Sequence, residues 1–324
     1  MATLGPVCPD RVLLLVNPLS FRLSLPGAFS KLRQQTKALG LHPHVVYGPQ
    51  EIEPLLAKAL PEGLDLIIIV GGDGTLQGTV SLLADQYPDA TPPPILMLSG
   101  GRTNYIASHL GTKTRPVALI ERALMRPDSL SLTQTPALCL SQAAHSNIYG
   151  FFAGGALVDH VIRDCHQYRA SGRGRLRQGR YSTLWRLIQL AALGLLRRVH
   201  YKSPKMRLHA DVLGTMQGRV RLLVMTTLSE SQVSIHPYLP VGQGPVKLTA
   251  VCRDARGFWR HLPNLLLGRA SPAFTSANGY FSGRSETVSI RGLGQVCMDG
   301  QEYTLNPEAL TQVSAGPSFR FVTS

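Results

Sequence analysis

The run Ile67-Ile68-Ile69-Val70-Gly71-Gly72-Asp73-Gly74-Thr75-Leu76 carries residues suited to phosphate chemistry. A continuous apolar stretch, the mark of a buried strand, ends in glycines and passes straight into a helical pattern. Glycines permit positive φ and let backbone N–H groups approach a ligand closely. The start of a helix adds unpaired N–H groups and the positive end of its dipole. Together these make a cradle for phosphate. Asp73 stands in its middle, where a carboxylate repels phosphate unless it has a task. It can accept a proton from an attacking hydroxyl, or help to hold Mg²⁺. An ordinary strand-to-helix turn capped by Asp needs fewer glycines than this one has.

Other chemistry finds less support. The five cysteines are far apart, odd in number and contain no CxxC pair, which argues against a disulfide framework and a zinc site. His42, His44, His160 and His166 have no metal-ligand spacing and read as structural. Ser99 is not in a GxSxG elbow, so a hydrolase reading has no basis. The segment from Arg163 to Arg180 contains Arg169, Arg173, Arg175 and Arg177 among glycines, and reads as a mobile basic loop. It suits a clamp on transferring phosphate, a contact with anionic lipid or a solvated charged loop, and the three stay open. The helical stripe Leu184, Trp185, Leu187 and Ile188 reads as core rather than as a lipid anchor.

These residues need elements to position them. The chain has 324 residues, 44% of them hydrophobic and 16% charged, which excludes disorder and suits two domains. Its net charge of +14, mostly arginine, fits a phosphorylated ligand, an anionic membrane or nucleic acid, and charge alone does not choose. The first ten residues show no signal peptide. The longest apolar stretch, Leu184–Leu196, contains Arg186 and Gln189 and falls short of the roughly 20 residues needed to span a bilayer. A soluble cytoplasmic protein that touches the inner face of the membrane is expected.

Through residue 128, strand patterns (Val12–Val16, His44–Tyr47, Leu64–Val70, Ile95–Leu98) alternate with helical ones (Pro26–Leu39, Ile52–Leu60, Thr75–Ala84, Asn104–Leu110), predicting an α/β domain with a parallel sheet. From residue 129 to 324 strand patterns dominate, at Ser129–Thr133, Met206–Val212, Arg219–Thr227, Val246–Val251, Thr287–Ile290 and Phe319–Val322. They predict an antiparallel β-sandwich, interrupted by one helix over Thr183–Arg197. Whether the last strand returns to the first domain stays open.

Four motifs in order carry a resemblance. They are Asn17-Pro18 after the first strand, Gly71-Gly72-Asp73-Gly74-Thr75, the turn and helix from Ser99-Gly100-Gly101-Arg102-Thr103-Asn104 to Leu110-Gly111, and Met298-Asp299-Gly300-Gln301. Their order and spacing resemble the diacylglycerol kinase catalytic family, which includes sphingosine kinases and bacterial lipid kinases and is distantly related to NAD kinases. The resemblance implies an ATP- and Mg²⁺-dependent kinase with a lipid acceptor, and its active site between the two domains. By the same resemblance, Asn17, Gly101 and Asn104 contact the nucleotide, and Gly71, Gly72, Gly74 and Thr75 hold its phosphates. Asp73 is the base, Asp299 reaches over toward phosphate and Mg²⁺, and Arg180, before Tyr181, meets the phosphates. Partners implied are the lipid substrate and an anionic membrane, with no nucleic acid.

Departures stand at Tyr105, Ser108, Gly78 and Gln301, and Leu19-Ser20-Phe21 lacks the glycine common after Asn-Pro. The substitutions at Tyr105, Ser108, Gly78 and Gln301 motivate one alternative, a catalytically weak nucleotide- or lipid-binding member of the same fold. A second alternative is a kinase with a small soluble acceptor such as NAD, whose Asn-Glu pair is replaced here by Asn104-Tyr105. The lipid acceptor and the oligomeric state are not legible.

Overall fold

The computed structural model describes residues 2–87, 91–101, 116–143, 145–170, 203–229 and 236–323. The first part alternates strand and helix: β1 (Ala2–Thr3), β2 (Val12–Val16), α1 (Ala28–Ala38), β3 (Pro43–Val45), α2 (Pro49–Ala59), β4 (Leu66–Gly71), α3 (Asp73–Gln86), β5 (Ile95–Ser99) and α4 (Pro116–Met125). Strands β3, β2, β4 and β5 lie side by side and parallel. Each is apolar along its length because both faces are covered. Leu13, Leu15, Ile67, Ile69 and Met97 pack with Ile52 and Leu56 of α2 and with Leu76 and Val80 of α3. Their neighbours Leu14, Val16, Ile68, Val70 and Leu98 pack with Leu32 of α1 and with Leu119 and Ile120 of α4. This alternation is the period of two of a pleated strand. Each such side chain, fully buried, contributes about 1.5–3 kcal/mol.

The remainder is mostly antiparallel. Its strands are β6 (Ser131–Gln142), β7 (Ile148–Gly150), β8 (Phe152–Ala156), β9 (Lys205–Ala210), β10 (Gly214–Thr226), β11 (Val246–Cys252), β12 (Tyr280–Ser285), β13 (Thr287–Arg291), β14 (Gln295–Met298), β15 (Gln301–Thr304) and β16 (Thr311–Thr323). Two helices join them, α5 (Leu157–Ala170) and α6 (Phe258–Leu266). Strand β10 serves two sheets. It pairs with β9 over Gly214–Arg219 and with β8 and β11 over Leu222–Thr226, with a register shift at Val220/Leu222. A strand that changes sheets in this way makes a sandwich corner. Leu138, Leu208, Leu223, Met225, Leu248 and Val288 fill the space between the sheets. Strand β16 runs antiparallel to β6 and β13, and its Phe321 lies opposite Ile95 of β5 in the parallel sheet. The molecule therefore has the fold class read from the sequence: an α/β half with a parallel sheet, then an antiparallel half.

Two segments differ from the sequence reading. Residues 163–170, taken as the start of a basic loop, belong to α5. The i, i+4, i+7 spacing of Val158, Ile162 and Cys165 supplies its apolar face, and Arg163 pairs with Asp159 one turn before it at 2.7 Å. Helix α6 was not anticipated, because Pro263 within it reads as a breaker. The expected helices over Asn104–Leu110 and Thr183–Arg197 lie outside the described residues. No helix among the described residues is long and apolar enough to cross a membrane.

Candidate active site

The carboxyl ends of β2, β4 and β5 meet at one edge of the parallel sheet, the position where open α/β sheets bind ligands. Backbone hydrogen bonds stitch the three following loops together. Asn17 N–H donates to Val70 O at 3.0 Å, Gly100 N–H to Gly71 O at 2.7 Å, and Arg22 N–H to Gly100 O at 2.9 Å. The Asn17 side chain donates to Thr75 Oγ1 at 3.1 Å and accepts from Leu19 N–H at 3.0 Å. Asn17, Gly71, Gly72, Gly74, Thr75 and Gly101 are thus neighbours. None of these glycines has a positive φ. Gly71 and Gly74, with Gly100 beside them, are needed for space. A Cβ on Gly71 would sit 2.8 Å from Thr75 Oγ1, one on Gly100 2.9 Å from Gly71 O, and one on Gly74 would strike the Gln301 amide. Positive φ, one of the two reasons given for glycine in the sequence reading, plays no part here.

The antiparallel half presents a hairpin to this edge. Met298 and Gln301 are paired, so Asp299 and Gly300 form a two-residue loop, with φ of 50° and 87°. Asp-Gly with both φ positive is the favoured chemistry for such a turn. The Asp299 carboxylate is buried over Gly150, where a Cβ would come within 2.5 Å of Oδ2. Its oxygens accept the N–H groups of Phe151 at 2.9 Å and Phe152 at 2.8 Å. Burial pushes its pKa up to about 8; those two hydrogen bonds oppose the rise, and the charge of Asp73 adds to it. The charge of Asp73, at the first turn of α3, thus acts on Asp299 across the boundary between the two halves.

A cleft of about 360 Å³ opens here. Asn17, Ser20, Gly72, Gly74 and Thr75 line it from one half, Gln301 and Tyr303 from the other, and Leu19, Tyr47, Pro49 and Ile52 form an apolar end. Sequence reasoning missed Gln77 and Tyr303. Buried Gln77 donates to Tyr149 O at 2.9 Å and to the Tyr303 hydroxyl at 2.8 Å, joining the halves. Both had a signal: Gln77 is one helical turn beyond Asp73, and Tyr303 is two strand positions beyond Gln301. The departure at Gly78 has a packing reason, since a Cβ there would press to 3.3 Å on Pro49 of α2.

Gln301 faces the cleft, and its neighbour Glu302 does not stand in for it. On a strand, successive side chains face opposite ways, and Glu302 binds Arg163 at 2.8 Å and His166 at 2.7 Å. Asn104, Tyr105, Ser108 and Arg180 lie outside the described residues. Among the described residues, no group of three or more His, Cys, Asp or Glu side chains gathers to hold a metal ion; the site offers the pair Asp73 and Asp299.

Residues 11–132 match the diacylglycerol kinase catalytic domain. The resemblance drawn from the motifs holds. The matched segment runs from β2 to the first residues of β6 and contains the whole glycine cradle. Solved structures from Bacillus anthracis str. Sterne share the fold over 97% of both chains. One described as a diacylglycerol kinase is 14% identical with a TM-score of 0.60. Two others are 16% and 17% identical, with TM-scores of 0.65 and 0.61. No curated protein matches the sequence. The solved structures show the fold, and the domain match supports a kinase.

Proposed function

We propose that this protein transfers the γ-phosphate of ATP to the hydroxyl of a lipid. The observation that carries the reading is the placement of Asp73: it opens the helix behind the glycine cradle, between Gly72 and Gly74 of the cleft lining, within the segment that matches the diacylglycerol kinase catalytic domain. The backbone at Gly71, Gly72, Gly74 and Thr75 receives the phosphates, helped by the positive end of α3. Asn17, already bonded to Thr75, fixes the nucleotide beside it. Gly101, Asn104 and Arg180 complete the nucleotide contacts in this reading.

The acceptor oxygen attacks the γ-phosphorus, its proton passes to the Asp73 carboxylate, and the bond from the γ-phosphorus to the bridging oxygen breaks to release ADP. Among the described residues no third acidic or imidazole side chain joins Asp73 and Asp299, which fits Mg²⁺, usually held by one or two carboxylates and substrate phosphate. Asp299 with Asp73 would hold it. When bound, the ion supplies positive charge against the phosphates. Catalysis otherwise rests on positioning. A soluble protein working at the inner face of a membrane accords with this acceptor.

The test is incubation with ATP, Mg²⁺ and total lipid extract, followed by mass analysis of phosphorylated species, with NAD as the soluble competitor. A new phosphorylated lipid, lost in Asp73→Asn with Tm unchanged, is the expected result; an active Asp73→Asn refutes the base. A second reading, a catalytically weak binding member of the fold, draws on the neutral Gln301 in the cleft and the engagement of Glu302 elsewhere. ATP binding without transfer to any lipid favours it.

A further inference from the structure

We infer that α6 and the arginines around it form a docking surface for an anionic membrane. This deepens the lipid-acceptor reading and rests on it for its purpose. Helix α6 caps one end of the sandwich: Phe258 and Leu265 are buried with Val251 and Tyr280, and Leu222 packs against them. Leu222 pairs with Ala156, whereas the catalytic turn lies near Phe152, which pairs with Thr226. The helix is therefore four strand positions, about 13 Å, from the catalytic end of β10.

Its outward face is unusual for a surface helix. Trp259, Pro263 and Leu267 are exposed at i, i+4 and i+8, so they form one apolar stripe; Trp259 is 42% exposed and Leu267 47%. Exposed arginines surround the stripe: Arg253, Arg256, Arg260 and Arg269, with Asp254 the one acid from 252 to 270. Beneath it, Arg221 lies 4.7 Å from the centre of the Phe258 ring and 6.0 Å from that of Trp259, and donates to Arg253 O at 2.7 Å, which holds the aromatic pair in place.

Apolar and aromatic residues in line, flanked by cations, are the pattern of a helix lying in the headgroup layer. Tryptophan is at home there, since its ring is apolar and its N–H polar. A symmetric second copy would set these arginines against themselves. Nucleic acid would use the cations and one ring, and would leave the Pro263–Leu267 part of the stripe without a partner.

The chain has two tryptophans, Trp185 and Trp259. In Trp185→Phe, emission therefore reports on Trp259 alone. With vesicles of phosphatidylcholine and phosphatidylglycerol, the emission shifts to the blue and brominated lipid quenches it; vesicles of phosphatidylcholine alone give neither change. Arg256→Ala with Arg260→Ala weakens vesicle binding about twenty-fivefold, at roughly a fivefold loss for each cation near an anionic surface. Leu267→Ser, whose side chain is solvent-facing and so spares the fold, removes the quenching. Sedimentation with vesicles without a Trp259 response overturns the inference, as does no binding, equal response to neutral vesicles, or duplex DNA bound through the same arginines more tightly than vesicles. Lipid phosphorylation measured in parallel separates the claims. Phosphorylation without a Trp259 response sinks the surface alone, and a Trp259 response without phosphorylation of any lipid sinks the kinase reading alone.

Discussion

Two glycines on either side of the cradle should respond to alanine in opposite ways. Gly100 follows β5 and is locked to β4: its N–H donates to Gly71 O at 2.7 Å and its carbonyl accepts from Arg22 N–H at 2.9 Å. A Cβ there would lie 2.8 Å from Ser20 Oγ and 2.9 Å from Gly71 O. The serine hydroxyl can turn aside; the Gly71 carbonyl, at the end of a central strand, cannot. The loop must move by a few tenths of an ångström, straining its bonds to Gly71 and Arg22. Overpacking of this kind costs about 1–3 kcal/mol, and a strained hydrogen bond adds about 1. We expect Gly100→Ala to lower Tm by roughly 5 °C in a chain of this size.

Gly72 is the contrast. Its φ of −93° suits any residue, and a Cβ would meet Gly101 Cα at 3.6 Å, an ordinary contact. Gly72→Ala should leave Tm within about 2 °C, the loss expected for alanine at a helix N-cap. It should nevertheless raise the Kd for ATP at least tenfold, because the added methyl group stands where phosphate approaches the backbone. Thermal unfolding and calorimetric titration with ATP measure the two effects. A Gly100→Ala protein as stable as its parent, or a Gly72→Ala protein that falls as far as Gly100→Ala, refutes the reasoning.

Asp299 makes stability depend on pH. Its pKa rises from 3.8 to about 8 on folding, so the folded chain binds a proton that the unfolded chain has released. Its contribution is full below pH 4 and is lost as pH rises toward 8, at up to about 1.4 kcal/mol per pH unit. Denaturant midpoints in EDTA should fall across this window in the parent and stay level in Asp299→Asn; a level parent excludes the shift. Arg163, 20% exposed, binds Asp159, Glu302 and Tyr303 O. Arg163→Ala leaves the Asp159 carboxylate buried and unpaired, and should cost about 2–4 kcal/mol by urea unfolding, partly recovered with Asp159→Asn; a loss under about 0.5 kcal/mol would show the strut to be idle.

What was legible follows from how far apart the causes lie in the chain. Strands β2, β4 and β5 read clearly because burial on both faces makes them continuous apolar runs. The cradle read clearly because its residues are adjacent. Strand β6 extends to Gln142, well past the reading, because Pro136 and its neighbours look like the end of a strand. They are tolerated there: Pro136 lies opposite Ser318, beside the register shift after Ala315, where the ladder is already interrupted. The anchoring of Asp299 by Phe151 and Phe152, and the strut from Arg163 to Glu302, join residues more than 130 positions apart. No local pattern announces them. The late Asp-Gly was visible as a motif, but its work as a tight turn appears only with its strands in place.

These long-range ties constrain how the cleft can operate. Gln77 bonds to Tyr149 O and to the Tyr303 hydroxyl, both in the antiparallel half, from a helix in the parallel half. Strand β16 lies beside β5 of the parallel sheet while its length pairs with β6 and β13. Opening the cleft by swinging the halves apart would break the Gln77 bonds and strain a shared strand. A buried amide left unpaired costs about 1–3 kcal/mol by itself. On that reasoning the expected way in and out for a ligand is along the cleft, past Leu19 and Tyr47, which line it and are 72% and 57% exposed. Gln77→Leu, similar in volume but without the amide, removes the tie. It should loosen the cleft, raising amide hydrogen exchange at Phe151 and Phe152 while the parallel sheet keeps its protection. Unchanged exchange at those two amides would mean that β16 alone holds the halves together.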